Sequence, residues 1–192
     1  EVVSPYAASK RAMEIFGSTH SYLHGLSCIG LRFFTVYGPR GRPDMAPHKF
    51  LSAILDGKTF EKFGTGSSRD YTYVGDIVQG IRAALYRVQP GKHRVYNLGN
   101  NEPVSLEQFI AACENVVGKE AQYTVMDRHP ADVPHTCADI NRAADELGYR
   151  PGVSLESGLR KCLEDIVDSR TATSCMTSSP RSTDGHDSRP PL

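Results

Sequence analysis

The stretch SCIGLRFFTVYGPRGRPDMA, residues 27–46, decides the fold class of this chain. Residues 27–34 form a short, mostly apolar run, which is typical of a parallel strand that is covered on both faces. Residues 35–45 are interrupted by glycine and proline and predict a loop. Ligands of open α/β sheets bind outside the carboxyl ends of the strands, where such loops lie. The stretch therefore predicts a buried strand that runs directly into a ligand-binding loop.

Helices and strands alternate on both sides of this stretch. Pro5 suits a first helical turn and Gly25 a helix end, so residues 5–24 predict a helix. Ser105, followed three residues later by Gln108, resembles a capping box at the start of another helix. The remaining predicted helices cover residues 48–55, 76–87, 106–117, 140–147 and 155–167, and the remaining predicted strands cover residues 59–63, 70–74, 94–98 and 122–126. This mixture predicts an α/β fold.

Composition and charge exclude several classes of function. Of the 192 residues, 39% are hydrophobic and 23% are charged, which is typical of globular proteins. The 22 basic and 22 acidic residues balance, so we expect neither a nucleic-acid partner nor an anionic membrane surface as partner. Five cysteines without a C-x-x-C pair predict reduced thiols and no metal site. A reducing, cytoplasmic location is expected, and a membrane anchor upstream of Glu1 stays open.

The composition changes abruptly at Ser169. Residues 169–192 are rich in Ser, Thr, Pro and Arg and contain almost no aliphatic side chains, so they cannot bury enough apolar surface to offset their ordering entropy. We therefore expect residues 1–168 to be structured, and residues 169–192 to be a disordered tail or sequence translated out of frame. Because the chain starts at Glu1, inside a predicted structured region, we also expect the gene product to begin further upstream.

Tyr6 and Lys10 stand four residues apart in SPYAASK, residues 4–10, and therefore share one face of the predicted helix. A phenol is a poor base at neutral pH because its pKa is about 10. A nearby ammonium group favours the phenolate, which could then exchange a proton with a sugar hydroxyl. The same spacing also arises on a plain helix surface, so the spacing alone leaves both interpretations open.

The glycine- and proline-rich loop carries further polar candidates. Thr35 can donate or accept a hydrogen bond, and Arg40 and Arg42 can bind carboxylate or phosphate. The alternative interpretation is a structural turn with two solvated arginines.

Two later segments are also loop-like. In FGTGSSRDYTYVGDIV, residues 63–78, Arg69 follows a Gly/Ser loop and suits a diphosphate contact, although most arginines are simply surface residues. In DRHPADVPHTCADI, residues 127–140, His129 and His135 are six apart, and this spacing favours polar loop residues over metal ligands.

Five ordered segments together resemble a known family. They are SPYAASK, LRFFTVYGPRGRPDMA, FGTGSSRDYTYVGDIV, YNLGNNEPVSL and ADVPHTCADI. In this order, across residues 3–168, they resemble the later part of the NAD-dependent epimerases and dehydratases of the extended short-chain dehydrogenase/reductase family. The segment FFTVYGPRGRPDMA looks closest to the UDP-glucuronate 4-epimerases, because related enzymes usually carry Asn where this chain has Thr35.

The resemblance implies the C-terminal part of a Rossmann-type parallel sheet with a small α/β substrate-binding domain. Tyr6 would be the acid and base at the C4 hydroxyl of a UDP-sugar, and Lys10 would bind the nicotinamide ribose of NAD and favour the phenolate. The C4 hydride would pass to NAD and return to the other face of a 4-keto sugar. The resemblance also implies a homodimer formed through a helix bundle that includes the tyrosine-bearing helix.

The resemblance further implies a set of substrate-binding residues, which are Thr35, Arg42, Arg69 and Asp132. Arg42 and Thr35 would hold the C6 carboxylate of a uronic acid, and Arg69 would bind the diphosphate. A carboxylate-free substrate should leave Arg42 unpaired, which favours UDP-glucuronate over UDP-glucose.

The sequence also departs from the family pattern. The Gly-rich dinucleotide motif and the catalytic Ser/Thr should lie upstream, so we expect this chain alone neither to bind NAD nor to turn over. Gly75 stands where relatives commonly have an acidic residue, and His129 stands near a phosphate-binding arginine of some epimerases. The alternatives are another epimerase, dehydratase or decarboxylase of the family, or a non-catalytic remnant that binds a nucleotide sugar or a partner subunit.

Overall fold

The computed structural model describes residue 2, residues 4–127 and residues 132–177. Its helices are α1 (Pro5–His24), α2 (Ala46–Asp56), α3 (Val74–Leu85), α4 (Leu106–Val117), α5 (Asn141–Leu147) and α6 (Leu155–Thr177). Its strands are β1 (Cys28–Phe33), β2 (Thr35–Tyr37), β3 (Phe60–Phe63), β4 (Ser68–Tyr73), β5 (His93–Leu98), β6 (Pro103–Ser105) and β7 (Tyr123–Met126). Helices and strands are mixed throughout, which confirms the predicted α/β class.

The strand pairing places β2 and β4 side by side. β1 pairs with β5 and β3 pairs with β7, both in parallel. β2 pairs in parallel with one edge of β4, and β6 pairs antiparallel with the other edge. Only Phe34 separates β1 from β2, and its N–H donates to the carbonyl of Leu98 at 3.2 Å. The chain therefore leaves one sheet and enters the next where Thr35 pairs with Tyr71.

Several predictions of local structure need correction; α3, for example, spans Val74–Leu85 instead of residues 76–87. Residues 35–37, predicted as loop, form β2, because the pairing that makes them a strand comes from β4, far along the chain. β6 is a strand that the sequence patterns do not predict, since it begins at a proline, which sheets tolerate mainly at edges and strand starts. α2 begins at Ala46 rather than at residue 48, because Pro47 fits its first turn.

The first residues of the predicted tail are helical in the structure, where the composition predicts disorder. α6 continues past Ser169 to Thr177, since a formed helix extends at low cost and Arg170 pairs with Asp56 of α2 at 2.5 Å. Residues 178–192 lie outside the described residues, and the division of the chain at residue 168 stays a prediction.

Two apolar clusters hold the elements together. The larger cluster lies between α2, α4 and α6 and includes stacked rings of Tyr71 and Phe109, whose centroids are 4.1 Å apart. The smaller cluster joins α3 and α5 to β5 around the fully buried Leu98 and Tyr149. α4 starts with the predicted capping box, in which the Ser105 hydroxyl accepts from the Gln108 N–H at 3.1 Å. These clusters fix the frame on which β2 and β4 end.

α1 lies at the margin of this frame. The Ser4 hydroxyl caps its first turn, and Gly25 ends it with a φ of 64°, which a residue without a side chain adopts easily. The helix leaves Met13, Phe16 and Tyr22 largely exposed. None of the helices in the described residues combines the length and apolar character needed to span a bilayer. The expected homodimer stays a prediction.

Candidate functional site

A hollow of about 230 Å³ lies beside β4 and contains two of the predicted substrate-binding residues. We call it the Arg69 hollow; its walls include Arg69, Tyr71, Asp132, Asp44 and Lys49. Thr35 is the strand neighbour of Tyr71, so it lies next to the wall of this hollow. The hollow therefore offers aromatic surface, cations and carboxylates within one concavity.

Arg69 is held rigidly at the edge of this hollow. Its Nη2 binds the Asp132 carboxylate at 2.6 Å, and its Nη1 donates to the carbonyls of Ser68 and Pro134 at 2.9 and 3.0 Å. The segment after Asp132 runs along β4, where the Ser68 N–H donates to the Pro134 carbonyl at 2.9 Å. The structure thus brings Arg69 and Asp132 together, although 63 positions separate them in the sequence.

Asp70 is a buried organising residue that the sequence analysis missed. Its Oδ1 accepts from the Asn100 N–H and the Thr72 hydroxyl, at 2.7 and 3.2 Å. Its Oδ2 accepts from the N–H groups of Asn101 and Ala138, both at 2.9 Å. Successive residues of a strand face opposite sides of the sheet. Asp70 therefore points into the protein, whereas its neighbour Arg69 lies in the wall of the hollow. A buried strand rarely carries an unpaired Asp, and this rule was the available signal.

The loop after β2 is pinned by hydrogen bonds from both the loop and α6. Arg40 has a φ of 58°, which is unusual for a residue with a side chain, and its N–H donates to Asp165 of α6 at 2.7 Å. The Gly41 N–H donates to the Gly38 carbonyl at 3.2 Å. Gly38 itself packs so closely against Val74 that an added Cβ would lie 2.3 Å from its methyl group. These contacts therefore give the loop a defined conformation.

Arg42 forms a bidentate ion pair with Asp44 in this loop. Arg42 Nε binds Asp44 Oδ1 at 3.1 Å, and Nη2 binds Oδ2 at 2.5 Å. These hydrogen bonds raise the pKa of Arg42 and lower the pKa of the Asp44 carboxyl. Arg42 lines a second hollow, of about 170 Å³, while Asp44 lines the Arg69 hollow. The expectation that a carboxylate-free substrate leaves Arg42 unpaired is therefore wrong.

Tyr6 and Lys10 share one exposed face of α1. Lys10 Nζ lies 5.5 Å from the centre of the Tyr6 ring, and the Tyr6 residue is 71% exposed. Gly17 lies beside Cys28 and Glu14 binds Arg32, so α1 runs antiparallel to β1. Tyr6 and Lys10 therefore lie toward the carboxyl end of β1.

The structure leaves the catalytic and substrate-binding candidates in separate groups. The described hydrogen bonds and ion pairs of Arg42 and Arg69 go to Asp44, Asp132 and backbone carbonyls, and not to Tyr6 or Lys10. Within the described part of the chain, His, Cys, Asp and Glu form no group of three that could hold a metal ion.

Gly75 and His129 are the two positions at which a residue of this chain departs from the family pattern, and the structure describes the first of them. Gly75 lies in the first turn of α3, and an added Cβ there would lie 2.8 Å from the Tyr73 ring. A side chain at this position would therefore require the Tyr73 ring to shift. His129 lies outside the described residues, whereas His135 pairs with the Ser68 hydroxyl at 3.0 Å.

A family model and the curated proteins that match this chain agree on its relatives. A family model described as the NAD dependent epimerase/dehydratase family matches residues 1–99. UDP-glucuronate 4-epimerase 5 of Arabidopsis thaliana is 44% identical over 174 residues, which cover 82% of this chain and 40% of that protein. The chain spans about half the length of the curated relatives that it matches.

Solved structures share the same architecture. The UDP-glucuronic acid 4-epimerase of Bacillus cereus, solved with UDP-glucuronic acid and NAD, aligns with a TM-score of 0.81 and 35% identity over 86% of this chain and 53% of that one. MoeE5, solved with UDP-glucose and NAD, aligns with a TM-score of 0.83 and 30% identity over 88% of this chain and 57% of that one. MoeE5 has also been solved with UDP-glucuronic acid and NAD.

Proposed function

The chain belongs to the NAD-dependent epimerase/dehydratase family, and on that premise we propose that it forms the substrate-binding half of a UDP-glucuronate 4-epimerase. We call this chain, together with the part of its relatives' length that it does not cover, the complete enzyme. The observation that carries the substrate assignment is the Arg42–Asp44 pair, because it presents a solvent-accessible guanidinium in the geometry that binds a carboxylate. Arg42 would exchange Asp44 for the C6 carboxylate of the uronic acid.

Tyr6 and Lys10 would serve the chemical step. Both side chains are accessible on one helical face, and a phenol with an ammonium group matches the hydroxyls of a sugar and of a nicotinamide ribose. Tyr6 would take the proton of the C4 hydroxyl and return it after the sugar has inverted. NAD, when bound, supplies reversible acceptance of the C4 hydride. Lys10 would hold the cofactor ribose and favour the phenolate of Tyr6.

Arg69 and Asp132 would bind the nucleotide part of the substrate. The Arg69 guanidinium is fixed by two backbone carbonyls, so it can meet a diphosphate without reorganisation. The Asp132 carboxylate is acceptor-only and suits a sugar hydroxyl rather than a phosphate.

The carboxylate clamp would also suppress a side reaction. A ketone at C4 lies β to the C6 carboxylate, and such a β-keto acid loses CO2 when its C5–C6 bond aligns with the carbonyl π system. Arg42, with a hydrogen bond from Thr35, would hold the carboxylate away from that alignment.

The family offers a second candidate, an epimerase of neutral UDP-sugars. The Arg42–Asp44 pair favours it in one respect, since a neutral sugar would leave that pair intact. The solved complexes of MoeE5 with both UDP-glucuronic acid and UDP-glucose make the comparison of these two substrates the relevant one.

The proposal is tested with Arg42→Ala in the complete enzyme. UDP-glucuronate binding should weaken roughly tenfold or more while UDP-glucose binding changes little, because only the uronate loses a charged partner. Product analysis should also reveal CO2 and a UDP-pentose. Arg42→Lys is the matched control, because it keeps the charge without the bidentate geometry and should decarboxylate only in part. Equal losses of affinity for both sugars, without pentose, would remove Arg42 from the sugar site.

A further inference from the structure

We propose that Asp44 determines how strongly the enzyme prefers uronic acids over neutral sugars, because it competes with the substrate carboxylate for Arg42. This inference rests on the proposed function, in which Arg42 is the group that meets the C6 carboxylate. It adds a specificity-determining residue that acts through Arg42. The competition would make recognition of a uronate an exchange of one carboxylate for another.

The geometry of the pair leaves little room for both carboxylates. Asp44 occupies the edge of the guanidinium formed by Nε and Nη2, at 3.1 and 2.5 Å, which is the fork that carboxylates use. A substrate carboxylate could use the same edge only after Asp44 leaves. It could use the adjacent edge, Nη1 with Nη2, only by sharing Nη2 with Asp44, which brings the two carboxylates close together. The negative charges would repel in that arrangement, so Asp44 opposes a uronate in either case.

The loop keeps Asp44 permanently within reach of Arg42. The Met45 N–H donates to the Arg42 carbonyl at 3.1 Å, so residues 42–45 form a closed turn. Pro43, between the two partners, restricts the backbone further. Asp44 is therefore an intramolecular competitor whose effective concentration does not depend on solution conditions.

The exposure of the pair makes it displaceable. The Arg42 and Asp44 side chains are 75% and 63% exposed, and exposed ion pairs contribute little net stability. A nucleotide sugar that is already anchored in the Arg69 hollow could therefore displace Asp44. A neutral sugar has no carboxylate that competes for Arg42, so it would bind without disturbing the pair. Its affinity would therefore not depend on Asp44. Asp44 thus lowers the preference for uronates that Arg42 alone would create.

The test measures the dissociation constants of UDP-glucuronate and UDP-glucose by calorimetry, in the complete enzyme saturated with NAD. All proteins carry Tyr6→Phe, which slows turnover of both sugars, and product analysis after each titration verifies that the sugar was not converted. The measured quantity is the ratio of the UDP-glucose constant to the UDP-glucuronate constant. Asp44→Asn should raise this ratio about two- to fivefold, the range expected when a competing exposed ion pair is removed.

Glu61→Gln is the matched control for electrostatics. Glu61 is an exposed acid that lines the same Arg69 hollow but forms no described bond with Arg42. Its replacement removes one negative charge from the hollow and should strengthen the binding of UDP-glucuronate slightly more than that of UDP-glucose, because the uronate carries one more negative charge. The small rise in the ratio that this control produces measures the electrostatic background. Thermal unfolding of each variant verifies that the fold is retained.

The outcomes separate this inference from the proposed function. A rise of the ratio in Asp44→Asn that exceeds the rise in Glu61→Gln supports competition. A ratio that stays at the parental value, or that rises equally in Glu61→Gln, overturns it. A lower ratio also overturns it, because Asp44 would then position Arg42 instead of competing for it. Arg42→Ala is measured in parallel: if it leaves the ratio unchanged, the proposed function fails, whereas a collapsed ratio with an unaffected Asp44→Asn refutes the inference alone.

Discussion

Replacement of Asp70 by asparagine exchanges one carboxylate oxygen for an amide nitrogen, and we expect this small change to lower the free energy of unfolding. Asp70 is fully buried, and its carboxylate joins β4 to the turn after β5 and to the segment before α5. The same segments carry Arg69 and Asp132. The perturbation therefore tests whether this buried carboxylate holds the candidate site together.

The expected magnitude follows from the four hydrogen bonds of Asp70. If the amide nitrogen of asparagine took the Oδ2 position, the N–H groups of Asn101 and Ala138 would both lose their acceptor. If it took the Oδ1 position, the Thr72 hydroxyl could rotate to accept, and only the Asn100 N–H would face another donor. The variant should adopt the second arrangement and lose about 1–3 kcal/mol, the cost of one unsatisfied buried donor.

Asp70→Ala should cost more, because it leaves three backbone N–H groups without an acceptor. At about 1–3 kcal/mol for each donor, the loss reaches roughly 3–9 kcal/mol. That loss is comparable with the whole stability of a typical domain, roughly 5–15 kcal/mol. This variant should therefore accumulate as unfolded or insoluble protein.

The assay compares urea and thermal unfolding midpoints of the complete enzyme, together with calorimetric binding of UDP. Asp76→Asn is the matched control: Asp76 is also buried, but its one described hydrogen bond is from the Val153 N–H at 3.1 Å, which an amide oxygen can still accept. Asp70→Asn should unfold earlier than Asp76→Asn and bind UDP more weakly. If the two variants had equal midpoints and unchanged UDP affinity, the role assigned to Asp70 would be refuted.

Two further predictions concern α1. Tyr6→Phe in the complete enzyme should lower the epimerisation rate about 10²- to 10⁴-fold while UDP-sugar binding persists, and Lys10→Met should also weaken NAD binding; near-normal turnover of Tyr6→Phe would contradict the catalytic assignment. The hydrogen bond from Arg32, with a further contribution from Arg11, lowers the pKa of Glu14 from 4.5 to about 2. The stabilisation by the ionised Glu14 carboxylate should be present above pH 4.5 and be lost as the pH falls toward 2. An acid titration of the Glu14→Gln variant should lack this loss.

The sequence predicted those elements whose signals are local. As predicted, α1 begins at Pro5 and ends before Gly25, and α4 begins after the capping box at Ser105. In each case the residues that determine the element lie within a few positions of it, so a local pattern contains the information. β1 was likewise predicted as a strand from one mostly apolar run, but its predicted burial was wrong: none of its residues is fully buried and Phe33 is 50% exposed, because among the described residues the strand is paired only with β5.

The remainder depends on contacts between distant parts of the chain. Thr35 belongs to a strand because Tyr71 pairs with it, and α6 is supported beyond Ser169 by the ion pair of Arg170 with α2. The sequence marks Asp70 only as an unusual charge in a buried strand, and its backbone partners could not be identified, since they come from segments up to 68 positions away. The candidate arginines were identified from loop chemistry and resemblance, but their carboxylate partners were visible only in the structure.

The two arginines of the candidate site differ in how firmly they are held. Arg69 is 21% exposed and is tied to two backbone carbonyls as well as to Asp132, so its position changes little whichever ligand is bound. Arg42 is 75% exposed, and the described bonds of its side chain go to one neighbouring carboxylate that can move away. In the roles that we propose, the rigid cation would bind the part that all nucleotide sugars share, the diphosphate, and the exchangeable cation would bind the part that varies, the sugar. With those roles, one scaffold could keep its nucleotide site while a single loop determines which sugar it prefers.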